Sequence, residues 1–257
     1  MQFLENIFQS ICSQLLPTAC IICDQFQEHS LCKECKQSLK DDALCNYECC
    51  YQCGLPLQRE ELAEQQCDSC QLNPPHFDQT ICLDRYDGVL QTALHQLKYQ
   101  KRIAFAHGLA HAWNHILSEQ QMNIEGNYLL PVPLSTEKLC VRGFNQSWEL
   151  ARRIRCGTQI RKLPHALRRH HSIEQQAGSP LNMRQSKIRD TFYLDQTAID
   201  LLQNKSVIVF DDVMTSGSTL DEIARILKDN GVSRVINWVL LRATKPIPES
   251  RLSAHHV

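Results

Sequence analysis

Two adjacent carboxylates, Asp211 and Asp212, stand just before a run of small polar residues, Thr215-Ser216-Gly217-Ser218-Thr219. Small residues let backbone N–H groups converge on an anion, and the dipole of a helix opening there favours the same negative charge. Carboxylates one step earlier can accept hydrogen bonds from sugar hydroxyls. Phosphate at one end and a diol at the other describe a ribose 5-phosphate group. A Walker loop needs a Lys after its last glycine, and a dinucleotide fingerprint needs three spaced glycines. This stretch has neither, with Gly217 as its one glycine.

The second chemistry lies in the cysteines. Of 14, most fall in the first third. They form the pairs Cys20-x-x-Cys23, Cys32-x-x-Cys35, Cys50-x-x-Cys53 and Cys67-x-x-Cys70, with eight residues between the first two pairs and thirteen between the last two. Each pair can offer two thiolates from a tight turn, and two pairs complete a tetrahedral zinc site. The expectation is two sequential structural Zn²⁺ sites, Cys20/Cys23/Cys32/Cys35 and Cys50/Cys53/Cys67/Cys70, with a cross-braced arrangement as the alternative and Cys49 as a substitute for Cys50. With thiolates at every ligand position, neither site leaves room for a reactive water, so the role is structure or interaction. Disulfides would require an oxidising compartment. The N-terminus, with Glu5 and no early Lys or Arg, does not read as a secretory signal. The remaining Cys12, Cys45, Cys82, Cys140 and Cys156 read as small buried hydrophobes.

The elements that must position the acid pair are legible around it. Val207 to Phe210 is an apolar run of the kind that forms a buried parallel strand. After the polar loop, Leu220, Ile223, Ala224 and Leu227 share one helical face, Gly231 serves as the C-cap, and Val232 to Leu241 reads as an alternating strand. Strand–helix–strand of this length implies a parallel pair with a right-handed crossover, and such sheets hold ligands at their strand carboxyl ends. Upstream, Asn73-Pro74-Pro75 reads as a linker, dividing the chain into 1–75 and 76–257. A strand from Thr80 to Tyr86, a turn at Asp87-Gly88, a helical stripe ending at Lys98-Tyr99 and a helix from about Ile103 to Leu117 follow. That helix carries His107, His111 and His115 on one face, read as a polar face rather than a metal site because no acidic partner or HExxH pattern accompanies them. Tyr128 to Leu134 is a strand running into a proline-constrained loop, and a helix holds Trp148, Leu150, Ala151 and Ile154. Leu167 to Phe192 is basic and weakly periodic, which suits a mobile loop closing over a charged ligand.

Charge is unevenly spread behind a net value of -1. Residues 1–75 hold 4 basic and 11 acidic side chains, a difference of -7, whereas residues 138–189 hold 12 basic and 2 acidic, a difference of +10. The basic stretch suits a polyanion: pyrophosphate, nucleic acid or both. Hydrophobic content of 43% supports a globular core, and no apolar run is long enough to span a membrane. The N-terminal Phe3, Leu4, Ile7, Phe8, Ile11 and Leu15 suit an amphipathic helix.

The order of parts resembles one family. The acid pair with its loop is similar to the phosphoribosyl pyrophosphate (PRPP) loop of type I phosphoribosyltransferases. With the paired cysteines, LKY at Leu97 to Tyr99, PVPLS at Pro131 to Ser135, RGFNQ at Arg142 to Gln146 and DDVMTSGST at Asp211 to Thr219, nearly the whole chain resembles the ComF family of bacterial competence and DNA-utilisation proteins. The resemblance implies an α/β type I phosphoribosyltransferase-like parallel sheet with a small N-terminal cysteine-rich zinc module. It also implies a cytoplasmic protein acting on incoming single-stranded DNA in natural transformation.

Carried onto this chain, the resemblance assigns Asp211 and Asp212 to the ribose hydroxyls and Thr215, Ser216, Gly217, Ser218 and Thr219 to the 5-phosphate. Pro131 and Val132 fall in the pyrophosphate loop, with Arg142 and Lys98 as pyrophosphate or DNA-backbone contacts and Mg²⁺ accompanying PRPP. Arg142, Arg168, Arg169, Arg184 and Lys187 are the DNA or phosphate candidates, and Gln176 and Arg184 match a Gln…Arg motif. Lys187, where the family often has Asn, and Ser216, where Thr is commoner, are departures. Two roles follow. One is a binding protein for PRPP and single-stranded DNA, with Phe144, Trp148 and Tyr99 as stacking surfaces and the zinc module docking a competence helicase or DNA-channel partner. The other is an active phosphoribosyltransferase acting on an unknown acceptor in nucleotide metabolism.

Overall fold

The computed structural model describes residues 18–119, 126–157, 159–170 and 191–244. The cysteine-rich part opens with a two-residue ribbon, β1 (Thr18–Ala19) against β2 (Phe26–Gln27), then α1 (Lys33–Asp42), 3₁₀ turns at Leu44–Asn46 and Arg59–Glu61, and the short α2 (Asp68–Leu72). The sheet part follows as β3 (Gln79–Arg85), α3 (Leu90–Tyr99), α4 (Ala104–Glu119), β4 (Tyr128–Pro131), α5 (Thr136–Arg142), α6 (Gln146–Ala151), β5 (Arg161–Lys162), β6 (Leu167–Arg169), β7 (Phe192–Leu194), α7 (Gln196–Leu202), β8 (Ser206–Met214), α8 (Ser218–Asp229) and β9 (Arg234–Arg242). Five strands pair in parallel in the order β3-β9-β8-β4-β5, which bears out the expected α/β sheet. Among the described residues no helix is long and apolar enough to cross a membrane.

Alternate residues of the central strands supply two cores. Ile208, Phe210, Ile236 and Trp238 face α3, α4 and α6, where Trp113 meets Phe210 and Trp238 with ring centroids 5.6 Å away in each case. Val207, Val209, Val235 and Val239 face α8 and α7. This two-sided burial corrects the expected alternation of the last strand. β9 lies between β3 and β8, so nearly every side chain along it is buried. A second correction concerns residues 167–192. Their two ends are an antiparallel ribbon, Leu167 opposite Leu194 and Arg169 opposite Phe192, rather than loop. The segment between, with Gln176, Arg184 and Lys187, lies outside the described residues, as do the N-terminal apolar positions and Cys12.

The cysteine-rich part covers the β3 edge of the sheet. Thr80 N donates to Tyr51 O at 2.9 Å, and the Gln52 amide donates to Pro75 O and Phe77 O at 3.3 and 3.2 Å. An edge strand is otherwise a template for unwanted pairing. Here the Cys50–Cys53 turn occupies it.

Candidate functional site

β8 runs through Phe210 to Met214, so the acid pair sits within the strand's last turn of pleat. Chain reversal is made by Gly217 at φ +84°, where α8 begins, and Asp221 N closes the first helical bond onto Gly217 O at 2.9 Å. A Cβ at Gly217 would sit 2.6 Å from Met214 Cε. Gly217→Ala should therefore cost about 1–2 kcal/mol from the left-handed backbone alone and lower the unfolding midpoint by a few degrees, read by calorimetry. An unchanged midpoint would contradict this geometry.

The RGFNQ stretch is a helix–turn–helix joint. Gly143, at φ +86°, ends α5, and the Asn145 side chain caps α6 by accepting from Ser147 N at 3.0 Å. Asn145 Nδ2 also donates to Val132 O at 3.0 Å, tying the joint to the exit of β4. The cap delivers the first residues of α6 to the acid pair. Gln146 Nε2 donates to Asp212 Oδ1 at 3.0 Å, and Ser147 Oγ donates to Asp211 Oδ1 at 3.2 Å. Both side chains are buried. Reading the motif for its arginine alone passes over these two residues. The signal was available in an N-capping Asn followed by two polar residues in a first helical turn.

Lys98, in the last turn of α3, points inward and forms an ion pair with Asp212. Burial pushes the Asp211 carboxyl well above its ordinary value, and the neighbouring Asp212 charge pushes the same way. Burial would also raise Asp212, but the Lys98 charge and the Gln146 hydrogen bond outweigh it and hold that carboxyl low. The pair is thus split: one carboxylate held ionised, its neighbour inclined to keep its proton.

A cleft of about 520 Å³ opens over this pair. Lys98, Lys101, Lys138, Arg142 and Arg169 line it against three acids, Glu137, Asp211 and Asp212, so its surplus charge is positive. Val132 and Thr219 also line it. Pro131 lies behind, paired with Phe210 in the sheet, and Thr215 to Ser218 form the turn that delivers Thr219. The Arg142 guanidinium stands 5.9 Å from the centroid of the Tyr99 ring, which is 68% exposed. Phe144 and Trp148 pack against the core instead, leaving Tyr99 as the exposed ring of the expected three. Arg168 and Arg169 part company by strand alternation: Arg169 enters the cleft, whereas Arg168 pairs with Asp195 at 3.5 Å.

The cysteines gather into two clusters from consecutive pairs, with the Sγ atoms of each within 4.8 Å of one another. This is the sequential arrangement, not the cross-braced one. Cys53 and Cys67 Sγ lie 3.6 Å apart, and Cys23 and Cys32 Sγ 3.9 Å. A tetrahedron with Zn–S of about 2.3 Å has edges of about 3.8 Å, so both donor sets fit a metal ion and are consistent with zinc. Cys49 stands apart, its thiol directed at Leu44 O at 3.7 Å. Of the remaining cysteines, Cys82 is buried, but Cys140 is exposed because α5 buries no side chain. His107, His111 and His115 line a polar groove with Arg153 and Arg155, and burial with the Lys36 charge pushes His111 down to about 4.

A parallel sheet carrying an acid pair and a glycine turn at one strand's carboxyl end defines a type I phosphoribosyltransferase-like domain. The phosphoribosyl transferase domain family matches residues 149–256. A DNA utilization protein of Escherichia coli O6:H1 is 28% identical over 217 residues, covering 82% of this chain and 90% of that protein. Competence protein F of Haemophilus influenzae is 26% identical over 220 residues, covering 84% and 92%. These matches bear out the resemblance to the ComF family of competence and DNA-utilisation proteins, to which this chain is similar. A hypoxanthine phosphoribosyltransferase from Staphylococcus aureus aligns over 53% of the chain and 62% of its own length, at 14% identity and a TM-score of 0.33. That superposition is too loose to carry the assignment, which rests on strand order and the domain match.

Proposed function

We propose that this chain binds PRPP in the cleft and handles incoming single-stranded DNA in the cytoplasm during natural transformation. The observation that carries the reading is the acid pair held in place by Gln146, Ser147 and Lys98 beneath a cleft of surplus positive charge. Asp211 and Asp212 would accept from the ribose hydroxyls, and Thr215 to Thr219 would hold the 5-phosphate at the start of α8. Lys98 and Arg142, with Val132 backed by Pro131, would meet the pyrophosphate. Mg²⁺ takes oxygen ligands, which the acid pair offers, and when bound would neutralise pyrophosphate charge. Arg169 and Arg142, beside the exposed Tyr99, suit a nucleic-acid strand by charge and stacking. Arg168, Arg184 and Lys187 extend the DNA candidates. The two cysteine clusters would hold structural zinc, and their surface would dock a competence helicase or channel protein.

A second reading is catalysis. A pair of carboxylates with split protonation is an arrangement that enzymes use. In that case an acceptor forms a bond to the anomeric carbon as the bond to pyrophosphate breaks.

Titration calorimetry of PRPP with Mg²⁺, beside an Asp211→Asn/Asp212→Asn variant, tests the binding. Micromolar-range heat in the wild type and none in the variant supports it, and no binding by folded wild type removes it. Pyrophosphate release on adding candidate acceptors tests catalysis. The state of Asp211 adds a pH prediction. Its proton must leave before both carboxylates can accept from ribose, so binding should tighten as pH rises through the raised Asp211 pKa and then level off. Calorimetry in buffers of different ionisation enthalpy should show proton release, and uptake would contradict the assignment.

A further inference from the structure

Arg242 ends β9 with only 3% of its surface exposed, and its guanidinium meets carbonyl oxygens from separate parts of the fold. Nε donates to Cys53 O at 2.9 Å. One terminal nitrogen donates to Met214 O at 3.0 Å, to Thr215 O, and to Ala243 O at 2.9 Å. Cys53 belongs to the second thiolate cluster, and Met214 and Thr215 are the root of the small-residue loop. A buried guanidinium is costly to leave unsatisfied, so these carbonyls and the side chain hold one another in a single geometry.

Two further contacts run the same way. Gln52, between the ligand-set residues Cys50 and Cys53, donates to Phe77 O at 3.2 Å, and the Phe77 ring reaches within 3.9 Å of where a Gly217 Cβ would be. His76, one residue earlier, donates its backbone N–H to Asp221 Oδ1 at 2.6 Å in the first turn of α8. The Cys50–Cys53 turn thus meets the root of the loop through Arg242, and the Phe77–His76 segment that Gln52 holds meets the loop and the start of α8.

We infer that Arg242 is a positioning residue that couples the second cysteine cluster to the loop of Thr215 to Thr219, so that metal at Cys50/Cys53/Cys67/Cys70 sets the affinity of the cleft for phosphate-bearing ligands. Loss of metal, or oxidation of these thiols, moves the Cys53 carbonyl and frees Arg242 from one side. The loop then loses the partner that fixes its root. By linkage, a ligand that orders the loop must in turn tighten the metal. The ligand half of this inference rests on the proposed PRPP pocket, whereas the loop half does not.

Hydrogen exchange separates the two halves. In full-length zinc-loaded protein titrated with a zinc-selective chelator, exchange at 214–219 should rise in step with exchange at 50–54, while β4 at 128–131 stays protected. Arg242→Met, with zinc still bound, should speed exchange at 214–219 at least tenfold and weaken binding of PRPP with Mg²⁺ at least tenfold. Arg242→Lys, which cannot span both sides, should do the same more mildly. PRPP with Mg²⁺ should slow zinc release from the wild type, slow it less in Arg242→Lys and leave it unchanged in Arg242→Met. Exchange at 214–219 that stays flat as 50–54 opens overturns the coupling, and that arm needs no variant to fold. If PRPP binds nothing yet the loop follows the metal, the pocket's proposed ligand fails and the coupling stands.

Discussion

Chelating the metal from the two cysteine clusters should unfold residues 18–72 and drive the remainder to associate. This part of the chain has few large apolar side chains of its own. Leu31, Leu39, Leu44 and Leu57 are buried, but the helices are short and the connections are tight turns around thiols. Metal binding supplies about 10–16 kcal/mol in comparable structural sites, as large as the whole stability of an ordinary domain at about 5–15 kcal/mol. Losing it also bares the outer edge of β3, where Thr80 N now meets Tyr51 O at 2.9 Å. Circular dichroism, released zinc and light scattering measured together would show structure falling and scattering rising as two equivalents of metal leave. Cys67→Ser should reproduce the loss at the second cluster, while Cys49→Ser, outside both clusters, should change the midpoint little. Full metal release with an unaltered melting profile would sink the prediction.

Local chemistry was readable in the residues, and tertiary partners were not. The strand, acid pair, small-residue turn and helix from Val207 to Leu227 form a continuous stretch whose apolar spacing and lone glycine each point to the same geometry. Paired cysteines are equally local, since two residues between thiols decide that both can face one ion. The partners of the acid pair come from elsewhere: Gln146 and Ser147 are separated from it by 66 and 64 positions. Lys98 reads as a pyrophosphate or DNA-backbone contact at the end of a helical stripe, with nothing in its spacing to name Asp212 as its partner. Only the docking of α3 beside the carboxyl end of β8 brings the two together. β9 was mistaken for an alternating strand because its neighbours on both sides depend on strand order, which no local period encodes. The cysteine-rich part likewise looks separable at Asn73-Pro74-Pro75, yet Arg242 reaches Cys53 O across 189 positions.

The pairing of Lys98 with Asp212 should be worth the most of any single contact in the cleft. Their side chains are 14% and 5% exposed. Removing one partner of a buried pair leaves an uncompensated charge, at a typical cost of about 3–5 kcal/mol. Lys98→Met should therefore destabilise the protein by that order, measured by urea unfolding at neutral pH. The pH dependence carries the sharper signature. In the wild type Asp212 is held below its ordinary value, so its stabilising contribution is present above the unfolded carboxylate pKa of about 3.9 and drains away as pH falls through the lower folded value. In Lys98→Met the burial that now opposes the pair would dominate, raising Asp212. Its contribution then changes sign, and stability should grow as pH falls through that raised value toward the unfolded one of about 3.9. Asp212→Asn in the same background removes the stranded charge and should recover much of the loss, a coupling that a double-mutant cycle isolates. If Lys98→Met unfolds within about 0.5 kcal/mol of wild type, the range of an ordinary surface change, the ion pair does not govern the acid pair, and Asp212 must be held ionised by Gln146 and Ser147 alone.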